Sequence, residues 1–159
     1  MSNKLFLVCP FSCMENFIRQ KYGDDVFFIT AMAAVFQSDE TEYLQEIKYL
    51  IHRENITDIF ILNDTSCRFI NSVLKNENGT DTPCEKVLQQ LLKDNATSII
   101  ENKSLLEQQI ALAGINVKHQ AKQILKSNLL QSTLSDKIKL TALVATRTNN
   151  NIIEININN

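Results

Sequence analysis

Tryptophan is absent from this chain, and glycine and proline are scarce, with three and two among 159 residues. That scarcity excludes collagen-like and loop-dominated architectures. Neither charge sign dominates: 16 lysines and arginines stand against 18 acidic residues, a net charge of -2. No broad basic field is therefore available for phosphates, and nucleic acid is not an expected partner. No apolar run approaches the roughly 20 residues of a membrane helix, so no membrane partner is expected either. The apolar opening Leu5–Phe11 lacks a small-residue cleavage site before Glu15 and Arg19, and reads as a buried strand rather than a signal peptide. Internal repeats and domain-splitting linkers are also missing. What remains is a globular composition, 44% hydrophobic and 21% charged. It fits one domain over residues 1–159 with a sizeable core. Such a core needs no covalent staples, so the four cysteines are expected as reduced thiols in a cytoplasmic protein.

Pattern along the chain predicts alternating strands and helices. Lys4–Cys9 reads as the first strand, Met14–Tyr22 as a short helix ended by Gly23, and Val26–Thr30 as the second strand. Ser38 and Asp39 stand where an N-cap belongs, before a helix over Glu40–His52 whose apolar residues recur at helical spacing. Asp58–Asn63 is an unbroken apolar run suited to a strand covered on both faces. Asp64 or Thr65 can cap a helix reaching Leu74; Cys84–Leu92 and Ser98–Ala113 look helical, the latter stopped by Gly114. A separate helix over Val117–Leu130 is expected next. Lys139–Ala145 and Ile152–Ile157 then form a late hairpin closed by Thr146–Asn151. The whole implies a three-layer α/β/α protein with a mainly parallel sheet.

Open α/β sheets place their sites at the carboxyl ends of strands. Cys9 ends the first strand, and Asp64 and Cys67 follow the third. Two thiolates and a carboxylate are an admissible zinc ligand set. Helix capping by Asp64 and plain core packing by the cysteines explain the same residues equally simply. His52, beside Arg53, reads as a solvated cation at a helix C-terminus, His119 as helix surface, and Cys84, with no visible partner, is assigned no role.

Four segments resemble the β-class carbonic anhydrases, in particular their short form. That family ends a strand in Cys-x-Asp-x-Arg, where this chain has Cys9-Pro10-Phe11-Ser12-Cys13. Its Gly-Asp-x-x-Val-x-Arg-Asn corresponds to Gly23-Asp24-Asp25-Val26-Phe27-Phe28-Ile29-Thr30, and its His-x-x-Cys to Asp64-Thr65-Ser66-Cys67. Its Asn-Val-x-x-Gln matches Asn116-Val117-Lys118-His119-Gln120. The resemblance implies a homodimer and a zinc site at Cys9, Asp64 and Cys67; a fourth ligand is water, Cys13 or none, and Cys13 reads otherwise as a helix-start cysteine packed in the core.

The departures fall on functional positions. Asp64 stands for the zinc-binding histidine, Phe11 for the catalytic aspartate and Cys13 for its arginine; Ile29 and Thr30 replace Arg-Asn in the pocket. A third negative ligand weakens a metal as a Lewis acid, Phe11 accepts no proton, and Cys13 supplies no guanidinium fork. The pattern therefore predicts a degenerate site in a relative that binds a small molecule or protein, with carbon dioxide hydration lost. The alternatives are a zinc lyase with an unusual Cys/Asp/Cys set, and a thiol redox protein using Cys9 and Cys13. A histidine beside the sulfurs, or an arginine–carboxylate clasp from elsewhere in the chain, would count against the degenerate reading.

Overall fold

The computed structural model describes residues 2–36, 41–77, 79, 81–127, 131 and 138–158. Its sheet has five strands in the order β2-β1-β3-β4-β5: β1 (Asn3–Val8), β2 (Val26–Thr30), β3 (Ile56–Asp64), β4 (Lys139–Thr146) and β5 (Asn151–Ile155). The first four are parallel, and β5 runs antiparallel to β4 across the Arg147–Asn149 turn. The expected late hairpin is present with that connection.

Alternation along the strands divides the core in two. Leu5 and Leu7 of β1 and Ile59 and Ile61 of β3 face the larger cluster, while Phe6, Val8 and Leu62 face the smaller one. Both faces are apolar, which is why these strands read as continuous hydrophobic runs rather than alternating ones. The smaller cluster is closed by α1 (Glu15–Tyr22) through Met14, Ile18 and Tyr22, with the Phe6 ring stacked on Phe60 at 4.7 Å. The larger cluster lies under α2 (Thr41–Arg53), α3 (Arg68–Leu74), α4 (Pro83–Asp94), α5 (Ala96–Ile100) and α6 (Leu105–Lys126). Among the described residues no helix is long and apolar enough to cross a membrane.

Two expectations change. Gly114 does not stop a helix; α6 runs through it without a break. A Cβ at Gly114 would come within 3.3 Å of the Ile155 side chain, with Val144 also near, so this glycine marks close helix–sheet approach rather than a C-cap. The actual break lies earlier, at residues 101–104, where Ser104 and Glu107 form a reciprocal capping box that opens α6. Asp64 does not cap α3 either. It is the last residue of β3, and Cys67 occupies the cap position. The proposed N-cap at Ser38 and Asp39, and Leu129 and Leu130 at the end of the long helix, lie outside the described residues.

Candidate functional site

The sheet grows outward from β1 in both directions, to β2 on one side and to β3 on the other. The crevice between the carboxyl ends of β1 and β3 is thus the topological switch point, where sheets of this kind hold ligands. Cys9 emerges from β1 there, and Asp64, Ser66 and Cys67 emerge from β3.

Cys9 and Cys67 come together, each almost fully buried at 1% and 2% exposure. The two sulfurs share a hydrogen bond. The Ala33 N–H also donates to Cys9 Sγ at 3.2 Å, and the Phe11 N–H points at the same sulfur. The Cys67 thiol and these backbone donors outweigh burial and hold Cys9 down to about 6. Cys67 is pushed the opposite way, because it keeps the shared proton and is deeply buried. The pair therefore loses one proton readily and the second with difficulty. A pH titration of thiolate absorbance is expected to show one thiolate with a midpoint near 6. Cys9→Ser should abolish it, and Cys67→Ala should raise it by removing the S–H donor. A wild-type midpoint at an ordinary thiol value would contradict this geometry.

The turn that carries Ala33 is unusual. Ala33 and Ala34 both have left-handed backbones, with φ of 56° and 54°, a costly conformation for non-glycine residues. A polar network from α6 compensates. Asn116 Nδ2 donates to the Ala33 carbonyl at 2.9 Å and to Asn63 Oδ1 at 2.7 Å. Gln120 Nε2 donates to Asn116 Oδ1 at 3.3 Å, and the Phe36 N–H donates to Gln120 Oε1 at 3.0 Å. The Asn-Val-x-x-Gln segment is thus a brace for the loop that delivers an N–H to Cys9.

Asp64 is fully buried and faces a residue that sequence reasoning missed. Arg147, in the turn after β4, donates from Nε to Asp64 Oδ2 at 3.0 Å, and its Nη2 lies 2.9 Å from the same oxygen. Ser66 Oγ also donates to that oxygen and accepts from Arg147 Nη2 at 3.0 Å. Asp64 Oδ1 has no hydrogen-bond partner among the described residues. The signal for Arg147 was the parallel register: Asp64 pairs with Ala145, which places Arg147 two residues beyond, at the same sheet end.

The other site residues are dispersed. Cys13 is exposed, and its thiol donates to the Pro10 carbonyl at 4.0 Å instead of joining the buried sulfurs. Phe11 is 55% exposed and sits edge-on to Phe69 at 5.7 Å, with the Arg68 guanidinium 5.4 Å from its ring. Ile29 packs against the larger core, and Thr30 pairs with Val8 at the end of β2. Cys84 is buried in the same core as Cys9 and Cys67, with its sulfur 3.2 Å from Thr82 Oγ1.

An open, mainly parallel sheet with a cysteine pair at its switch point is the frame of one class of zinc enzyme. The family model for carbonic anhydrase matches residues 5–151, and the chain belongs to the β-carbonic anhydrase family. Solved β-carbonic anhydrases share the fold. CafA of Aspergillus fumigatus superposes with a TM-score of 0.83 at 18% identity, over 99% of this chain and 77% of that one. One of the two tetrameric enzymes of Sordaria macrospora gives 0.79 at 15% identity, over 96% and 80%. The Coccomyxa enzyme in complex with acetazolamide gives 0.74 at 15%, over 96% and 71%. No curated protein sequence matches the chain.

β-Carbonic anhydrases are generally zinc enzymes. The donors here do not fit that ion as they stand. Two sulfurs are in place, but Asp64 is engaged by Arg147 and Ser66, and among the described residues no group of three His, Cys, Asp or Glu side chains converges on one point. An arginine–carboxylate clasp does exist, contrary to the expectation that the chain lacks one, and a clasp of this kind counts against a degenerate site. Its carboxylate is the residue in the ligand position, so clasp and metal would compete for one side chain.

Proposed function

We propose that this is a β-carbonic anhydrase relative whose pocket no longer hydrates carbon dioxide and instead binds a small molecule or protein. The observation that carries the reading is that Asp64, the residue in the metal-ligand position, is already held by Arg147 and Ser66; the clasp counts against the reading only if a metal is held without Asp64. A hydratase of this family needs a ligand at that position and, separately, a carboxylate held by an arginine. Among the described residues one carboxylate, Asp64, stands at the site for both tasks. Phe11 at the surface and Cys13 on the Pro10 carbonyl supply neither.

The same clasp favours a second reading. With Asp64 held by Arg147, a zinc lyase could use Asp64 as its positioned carboxylate and hold the ion through Cys9, Cys67 and some other donor. Stopped-flow hydration on protein purified with zinc supplied throughout decides between them. The proposed function expects a rate indistinguishable from buffer, and turnover at an ordinary enzyme rate overturns it. A thiol redox role would now rest on Cys9 with Cys67 rather than Cys13, since those are the sulfurs in contact. We place the protein in the reducing cytoplasm as a homodimer. The four free cysteines support the first assignment, and the tetrameric assembly of the Sordaria relative supports some self-association.

A further inference from the structure

We propose that Arg147 is a resident substitute for the metal: its guanidinium occupies the Asp64 carboxylate and keeps a dormant Cys9–Asp64–Cys67 metal site closed. The inference rests on the proposed function, because it explains why the family's ion would be missing from this pocket.

Three observations carry it. First, the guanidinium meets Asp64 through two nitrogens at 3.0 and 2.9 Å, both on Oδ2, and Ser66 closes on the same atom. That oxygen has no capacity left for a metal. Second, Oδ1 is buried and without a partner among the described residues. Buried carboxylate oxygens are seldom left so, and an unpartnered oxygen is a coordinating atom held in reserve. Third, Cys9 and Cys67 are both buried at the switch point, and among the described residues no third ligand joins them. Charge reasoning points the same way. A carboxylate sealed at the end of β3 needs a cation beside it. A metal ion would meet that need; this chain meets it with an arginine reaching back from the turn after β4.

Cobalt(II) titration tests the proposal, because thiolate-to-cobalt charge-transfer absorption reports sulfur ligation and is blind to general loosening of the fold. Wild-type protein, Arg147→Met and Arg147→Lys are titrated and then back-titrated with a chelator. Arg147→Met is expected to take up one equivalent at least tenfold more tightly than wild type, with a charge-transfer band that disappears when Cys9→Ser is added. Arg147→Lys retains the cation and should behave like wild type. An Arg147→Met protein that is folded by circular dichroism yet gains no band overturns the proposal. Wild type binding cobalt as tightly as the variant does so too. Should Arg147→Met fail to fold, Asp64→His replaces it, since a histidine cannot hold the guanidinium in this way and offers a neutral ligand. Folded Asp64→His without a charge-transfer band is then the refuting result. The two readings fail separately. Carbon dioxide hydration by wild type sinks the proposed function, whereas tight wild-type cobalt binding without hydration sinks only the role given to Arg147.

Discussion

Replacing Asn116 with leucine is expected to cost about 4 kcal/mol of stability, since it leaves several buried polar groups without partners at once. Leucine keeps the branched skeleton and is no smaller than asparagine, so no cavity is opened. What is lost is a junction. Asn116 donates to the Ala33 carbonyl and to Asn63 Oδ1 and accepts from Gln120 Nε2. Each of those groups is left unpaired in a region closed to water, at about 1–3 kcal/mol apiece before relaxation. Asn63 is especially exposed to the change, because its Nδ2 already has no partner. Chemical denaturation of the two proteins gives the number directly. A loss below about 1 kcal/mol would mean that the network is ornamental. The substitution should also be felt at the sulfurs. Without Asn116 nothing pins the Ala33 carbonyl, and the left-handed turn is free to relax toward ordinary backbone. Its N–H then leaves Cys9 Sγ, and the thiolate midpoint rises. Stability and thiol titration should move together in this variant, whereas a core change such as Leu112→Ala should alter stability alone.

Much of this was legible in the sequence, and the line between what was and was not follows range. β2 was readable from Val26–Thr30 because its residues are β-branched and aromatic in an unbroken run, a local property. Cys9 and Cys67 could be placed at one site because parallel strands bring their carboxyl ends together whatever the intervening helices do. Gly114 misled for the opposite reason. Glycine near the end of a helical pattern is a local stop signal, but this one answers to Ile155 in β5 and Val144 in β4. Asp64 likewise has the residue type of a helix cap, and local rules assign it that task. Its real partner lies 83 residues further along the chain. Arg147 itself sits in a polar connection where an arginine attracts no notice. Only the pairing register of β3 with β4 puts it beside Asp64. The scaffold was therefore visible through periodicity, while the charge balance of the pocket depended on a contact between two strand ends that no single window of sequence contains.

Arg147→Met should destabilise the protein by about 3 kcal/mol, mainly because it leaves an uncompensated charge at a fully buried carboxylate. The guanidinium is itself 38% exposed whereas Asp64 is 0% exposed, so the penalty falls on the aspartate side of the pair. Asp64→Asn removes the charge and leaves Arg147 free to turn to solvent, and should cost less, about 1–2 kcal/mol. The informative variant is the double one. With both charges gone nothing is stranded, so Asp64→Asn/Arg147→Met should be more stable than Arg147→Met alone. The expected coupling between the sites is about 2 kcal/mol. Additive losses would show that the two residues do not act on each other, and the resident-cation proposal would lose its footing. Ionic strength supplies an independent check: a pair sealed on the aspartate side should keep most of its coupling in high salt, where surface pairs lose theirs. Metal supplies a third. A ligand that binds only the folded state stabilises it in proportion to the logarithm of its concentration over its dissociation constant. Cobalt should therefore return much of the stability lost in Arg147→Met and little to wild type, since only the variant has a carboxylate in need of a cation.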